Sequence, residues 1–218
     1  MSKTGKVIGI DEVGTGALAG PAYVCAVAVD DSWLLSGLKD SKELTKAKIA
    51  SMYNTLVVEQ RVHHVISLVT VQAINDDGIG ESLPKAWLDA GNRLLEVYPG
   101  SPVFLDGSRL PKGCGEEWMA ITNADAHIPC VMAAAIIAKY LRDEFMVAQA
   151  EVYPQYGWET NVGYGSQAHM EAMNTHGITP LHRTSFRPVQ KYMGDNKHRK
   201  YGVHPVTESL YAAWTKPT

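Results

Sequence analysis

Cysteine is scarce: Cys25, Cys114 and Cys130 are the only three among 218 residues. An odd count with no close pair excludes a disulfide framework and suits a reducing cytoplasm. The three read as packing residues. No run approaches the roughly 18 consecutive apolar residues that a membrane-spanning helix requires. Residues 1–9 lack the charged, apolar and small-residue succession of a signal peptide. The expectation is therefore a cytoplasmic protein with no membrane partner. A surplus of positive charge is also missing, because 20 Lys+Arg face 23 Asp+Glu for a formal net charge of -3. Non-specific nucleic-acid affinity comes mainly from Lys and Arg neutralising phosphates, so coating by bulk charge is excluded and any such binding needs a local patch. What is present, 45% hydrophobic residues in 23.8 kDa, suffices for one domain with a real core.

Along the chain, residues 7–10 form a short apolar run ending at Asp11-Glu12, and residues 22–29 form a second run rich in Val and small residues. A Gly-rich turn separates them. Residues 45–59 have helical character with Thr45 as a plausible cap, and residues 62–71 alternate towards β. Helical spacing returns over residues 81–97. Short strands are expected at residues 102–105, ending at Asp106-Gly107, and at residues 118–121, just before Asp125. The Ala-rich stretch 130–150, with its charges gathered on one side, reads as a long helix packed on a sheet. After residue 151 short helices and loops are expected, with a helix near residues 167–175. Together these indicate an α/β fold with a mixed sheet, a core over residues 1–150 and a C-terminal helical and loop segment, 151–218, within one domain overall.

Four carboxylates share a placement. Asp11, Glu12 and Asp106 follow apolar strand-like runs immediately, and Asp125 follows the run over residues 118–121. Strand ends on one edge of a sheet converge, and converging carboxylates repel unless a cation neutralises them. Oxygen ligands with little His or Cys nearby select hard ions such as Mg²⁺ or Mn²⁺, and a pair of such ions suits phosphodiester hydrolysis. Asp at strand ends is also ordinary turn chemistry. The Asp11-Glu12 pair is the sharper signal, because consecutive strand residues face opposite ways. The segment Gly14-Thr15-Gly16-Ala17-Leu18-Ala19-Gly20-Pro21 superficially matches a dinucleotide fingerprint, but Pro21 and the following Val-rich run favour a strand where the fingerprint needs a helix. A tight loop bringing bare backbone to a ligand, such as a ribose hydroxyl, fits better. Residues 183–200 carry six basic side chains and one acid, Asp195, and so supply a local patch; a solvated surface is the commoner origin of such a run.

At these residues the sequence resembles type 2 ribonuclease H, ribonuclease HII, over about residues 7–189. The matching segments include Gly9-Ile10-Asp11-Glu12-Val13-Gly14, Leu38-Lys39-Asp40-Ser41-Lys42, Leu105-Asp106-Gly107 and Ala124-Asp125-Ala126. Further along they include the stretch from Ala133 to Lys139 with Arg142-Asp143, then Gly163-Tyr164-Gly165 and His182-Arg183 with Ser185-Phe186. The resemblance implies a ribonuclease H-like fold with a mixed five-stranded sheet flanked by helices. It implies a monomeric, Mg²⁺- or Mn²⁺-dependent endonuclease acting on the RNA strand of RNA/DNA hybrids and 5′ of ribonucleotides embedded in DNA. Two-metal catalysis would leave 5′-phosphate and 3′-hydroxyl ends, and the metal ligands and catalytic residues would be Asp11, Glu12, Asp106 and Asp125. Asp143 also matches a family position, with a structural ion pair as its expected role. Gly14, Thr15 and Gly16 would approach the ribose, Tyr164 would pack on the sugar beside the scissile phosphate, and Ser41, Lys42 and Arg183 would contact phosphates. Three departures stand out: Thr15 replaces the usual Arg of Gly-Arg-Gly, Asn123 a common Lys, and Ala135 a common Ser. They keep open the alternative of a catalytically weak or silent hybrid-binding module.

Overall fold

The computed structural model describes residues 5–30, 32, 44–58 and 62–194. Five strands form one sheet in the order β3-β2-β1-β4-β5, with β1 at Lys6–Val13, β2 at Ala22–Asp30, β3 at His63–Val69, β4 at Val103–Asp106 and β5 at Trp118–Ile121. Strand β1 pairs antiparallel with β2 and parallel with β4, which in turn pairs parallel with β5. The sheet is therefore mixed, and β1, β4 and β5 all point their carboxyl ends the same way.

The helices are α1 (Lys46–Val58), α2 (Val71–Asp77), α3 (Ile79–Val97), α4 (Pro129–Val152), α5 (Trp158–Asn161), α6 (Gln167–His176) and α7 (Arg187–Gln190). They cover both faces of the sheet, which is why β2 shows no polar alternation. Its Tyr23, Cys25, Val27 and Val29 join the core under α1 and α4, while Ala22, Val24, Ala26 and Ala28 join the core under α3. The Ala-rich face of α4 lets backbones approach closely. A Cβ on Gly9 of β1 would stand 2.3 Å from the Cys130 carbonyl carbon and the Val131 nitrogen. Strand β1 is thereby pinned to the start of α4. Among the described residues no helix is long and apolar enough to cross a membrane.

Two local expectations change. Strand β1 does not stop before its carboxylates but continues to Val13, because Asp11, Glu12 and Val13 keep their register against Cys25, Val24 and Tyr23. Strand β3 ends at Val69, and a helix of seven residues, α2, starts where the β alternation was expected to finish. Thr70 caps it by accepting from the Ala73 N–H at 3.1 Å.

Candidate active site

The parallel β1–β4 pair brings Asp11-Glu12 and Asp106 to one edge of the sheet. A 3-10 turn at Ala124–Ala126, just after β5, adds Asp125. All four carboxylates line a cleft of about 270 Å³, together with Thr15, Ala135, Lys139 and Tyr164. Asn123 takes the left-handed conformation (φ 58°) that starts this turn. Asn tolerates that conformation better than most side chains, which gives this departure a local reason.

Asp11, Glu12 and Asp106 are each aimed by a specific donor. The Glu12 N–H donates to Asp11 Oδ1 at 2.7 Å, the Trp87 indole on α3 donates to Glu12 Oε2 at 3.0 Å, and the Ala124 N–H donates to Asp106 Oδ1 at 2.7 Å. Burial and then the Glu12 charge push Asp11 well above the usual carboxylate range, with Asp106 and Asp125 adding to the effect. Glu12 is pushed up to about 7, first by burial and then by Asp106 and Asp125, against the opposing Trp87 bond. Both shifts report negative charge crowded at a place with little water. Among the described residues, no three His, Cys, Asp or Glu side chains are drawn in tightly enough to hold an ion as they stand. The donor set nevertheless fits a divalent cation. All four groups offer oxygen, they face one cleft, and their mutual repulsion is what such an ion would relieve.

The rim of the cleft is built from backbone. Gly14 has φ +85°, and a Cβ there would lie 2.0 Å from Arg142 Nε. Glycine is therefore required twice over at this position. Gly16 has an ordinary φ and open space around its Cα, so nothing within the fold demands glycine there. Tyr164, 40% exposed, also lines the cleft, with the Arg142 guanidinium over its ring at 5.2 Å.

Arg183 does not serve the role expected of it. Its side chain is fully buried, and it donates from Nε to the Gly20 carbonyl at 2.9 Å, from Nη1 to Thr15 at 2.8 Å and from Nη2 to Gly14 at 2.7 Å. A guanidinium spent on three carbonyls braces the loop and is not placed to meet a phosphate. Of the basic run, Arg187 and Lys191 are exposed, whereas Lys197, Arg199 and Lys200 lie outside the described residues. Ser41 and Lys42 also lie outside them. Asp143 takes the ion-pair role, with Lys139 Nζ at 2.8 Å. Lys139 and Trp87 are site residues that the sequence reading left without a role. The i,i+4 pairing of Lys139 with Asp143 on α4 was a usable signal for the first, and the Trp87 bond to Glu12 had none.

Solved structures share this architecture. Ribonuclease H2 from Pyrococcus horikoshii OT3 superposes with a TM-score of 0.71 at 24% identity, over 89% of this chain and all of that one. Bst-RNase HIII in complex with Mn²⁺ gives 0.67 at 20% identity, over 90% of this chain and 71% of that one. The fold is ribonuclease H-like. The family model for ribonuclease HII matches residues 8–189. Ribonuclease HII of Shouchella clausii is 39% identical over 84% of this chain and 69% of its own length, and that of Roseobacter denitrificans is 36% identical over 89% and 96%. The chain belongs to the ribonuclease HII family, nucleases that cleave the RNA of RNA/DNA hybrids.

Proposed function

We propose that this protein hydrolyses the RNA strand of RNA/DNA hybrids, and the phosphodiester on the 5′ side of a ribonucleotide embedded in DNA, leaving 5′-phosphate and 3′-hydroxyl ends. The observation that carries this reading is the meeting of Asp11, Glu12, Asp106 and Asp125 at one cleft that Gly14, Thr15 and Tyr164 also line. Asp11, Glu12, Asp106 and Asp125 would hold Mg²⁺ or Mn²⁺, which when bound supply an activated water and offset charge on the departing 3′-oxygen. The remaining work falls to the protein. Trp87 and the Ala124 N–H orient carboxylate oxygens before substrate arrives. Thr15 and Gly16 present backbone N–H groups with no acceptor among the described residues, suited to a ribose or phosphate oxygen. Tyr164 offers an apolar ring to the sugar.

The C-terminal segment would contribute to substrate binding through this rim. The Gly163 carbonyl accepts from the Leu18 and Ala19 N–H groups at 2.8 and 3.2 Å, and the Arg183 N–H donates to the Leu18 carbonyl at 2.8 Å. Residues 151–194 thus hold the Gly-rich loop in place. We read the enzyme as a cytoplasmic monomer.

The test compares a labelled duplex carrying one ribonucleotide with one carrying a longer RNA tract, each with Mg²⁺, Mn²⁺ and a chelator. Metal-dependent cleavage of both supports the proposal in full. Cleavage of the long tract alone limits the enzyme to hybrids, while binding without cleavage of either turns it into a hybrid-binding module.

A further inference from the structure

Two buried histidines behind the cleft are joined in a chain whose direction is forced at every step. The Thr179 N–H donates to His182 Nδ1 at 2.9 Å. A backbone N–H can only donate, so His182 Nδ1 is the accepting nitrogen and the ring hydrogen sits on Nε2. His182 Nε2 lies 3.1 Å from His169 Nε2, which also receives the Trp158 indole N–H at 3.1 Å. His169 Nε2 therefore accepts from both, and its own hydrogen sits on Nδ1, 2.9 Å from the Tyr164 carbonyl. Charging either ring would set N–H against N–H, at Thr179 for one and at Trp158 and His182 for the other. Both rings are buried, in keeping with neutral imidazoles.

The chain thus ends on the backbone of a residue that lines the cleft, and its origin adjoins Arg183, which holds Gly14 and Thr15. We propose that His182 and His169 are positioning residues that, through this fixed pair of neutral tautomers, set the placement of Tyr164 against the Gly14–Gly16 loop. The proposal rests on the reading of Tyr164 as a substrate contact.

The test uses the full chain. In long-range ¹H–¹⁵N spectra at pH 7, His169 is expected to carry its hydrogen on Nδ1 and His182 on Nε2; the opposite tautomers, or a charged ring, overturn the proposal. In steady-state cleavage of a hybrid, His169→Leu is expected to raise KM about tenfold, the share of the lost bond to the Tyr164 carbonyl among the three that His169 makes. Mn²⁺ affinity, measured by water-proton relaxation, should stay unchanged, because the carboxylates hang on β1, β4 and the 124–126 turn. His169→Asn, whose Nδ2 can stand where Nδ1 stood, is expected to recover most of that KM. Equal KM values for the Leu and Asn variants, or a loss of Mn²⁺ binding in step with KM, would reduce the histidines to core packing and overturn the proposal. If His169→Leu does not fold, the KM of His169→Asn against the wild type takes its place, and a KM raised in step with lost Mn²⁺ binding overturns the proposal. If the wild type cleaves no hybrid, the functional reading fails, and the spectra still judge the hydrogen-bond chain alone.

Discussion

Arg142 lies directly beneath Gly14: its Nε would be 2.0 Å from a β-carbon on residue 14, and its guanidinium faces the Tyr164 ring at 5.2 Å. One buried cation thus supports both of these cleft-lining residues, with its Nε donating to the Pro21 carbonyl at 3.2 Å.

Gly14→Ala has to bring a side chain into the positive-φ region and displace Arg142. The strain of the left-handed region alone is about 1–2 kcal/mol. The expected outcome is a lowered melting temperature together with lost cleavage. Gly16→Ala, at an ordinary φ in open space, is expected to melt like the wild type and yet bind hybrid more weakly, if bare backbone meets the substrate there. Thermal denaturation beside hybrid titration separates the two cases, and equal melting temperatures would contradict the geometry at Gly14.

Asp11→Asn removes one charge from a crowded, buried cluster. The metal-free protein should melt at a higher temperature, because the burial and crowding that raise Asp11 are relieved, while cleavage is lost. Mg²⁺ should raise the wild-type melting temperature in proportion to RT ln(1 + [L]/Kd), about 2.7 kcal/mol at a hundredfold excess over Kd. That increment should shrink in Asp11→Asn and in Asp106→Asn. A wild-type melting temperature indifferent to Mg²⁺ would contradict a metal site made of these residues.

Acid should loosen the C-terminal segment. Burial, with the neighbouring His169 adding to it, lowers His182 to about 3, and burial also lowers His169. A histidine whose folded pKa is depressed takes up its proton on unfolding, so its stabilising effect is complete above the unfolded value, about 6.5, and fades as pH falls from there towards 3. The loss is at most roughly 1.4 kcal/mol per pH unit for each ring. Asp11 and Glu12 act in the opposite sense: their raised pKa values mean that, without metal, acidification through the range below about 7 relieves their repulsion. Burial also lowers His64, so denaturant titrations of the Asp11→Asn, Glu12→Gln double variant between pH 7 and 4.5 are run with and without His182→Asn, and equal pH slopes would contradict the relay.

Thr15→Arg restores a cation beside the glycines. If it reaches a phosphate, the slope of log K against log salt steepens by about 0.9. Binding isotherms at three salt concentrations measure it. An unchanged slope would show that the side chain at position 15 points away from the nucleic acid.

The parts of the fold that could be read from the sequence were those with a uniform local signal. Strand β2 and helix α4 are apolar on every turn or face that meets the core, and Asp106 and Asp125 stand where apolar runs stop. Helix α2 escaped because seven residues carry too little periodicity to outweigh the β-like run before it. The extension of β1 through Asp11 and Glu12 escaped because those side chains disfavour strands, and only pairing with β2 holds them there. Arg183 was misread for a similar reason. Its place in a basic run suggests a wet surface, whereas its partners lie at Gly14, Thr15 and Gly20, far away in sequence and invisible to any local pattern. The four carboxylates could be picked out because they stand at or just after strand ends, and the groups that aim them were hidden because those contacts are tertiary.

The strand order has a consequence for how the chain is made. Strand β1 can pair with β2 as soon as the intervening loop has left the ribosome, but its other edge waits for β4. Until then Ile8, Gly9 and Ile10 stand on an open strand edge beside Asp11 and Glu12, and that edge can template pairing with another chain. Two adjacent carboxylates whose repulsion later invites a cation would meanwhile keep two nascent copies apart. The same charges would then guard the chain during synthesis and arm it afterwards.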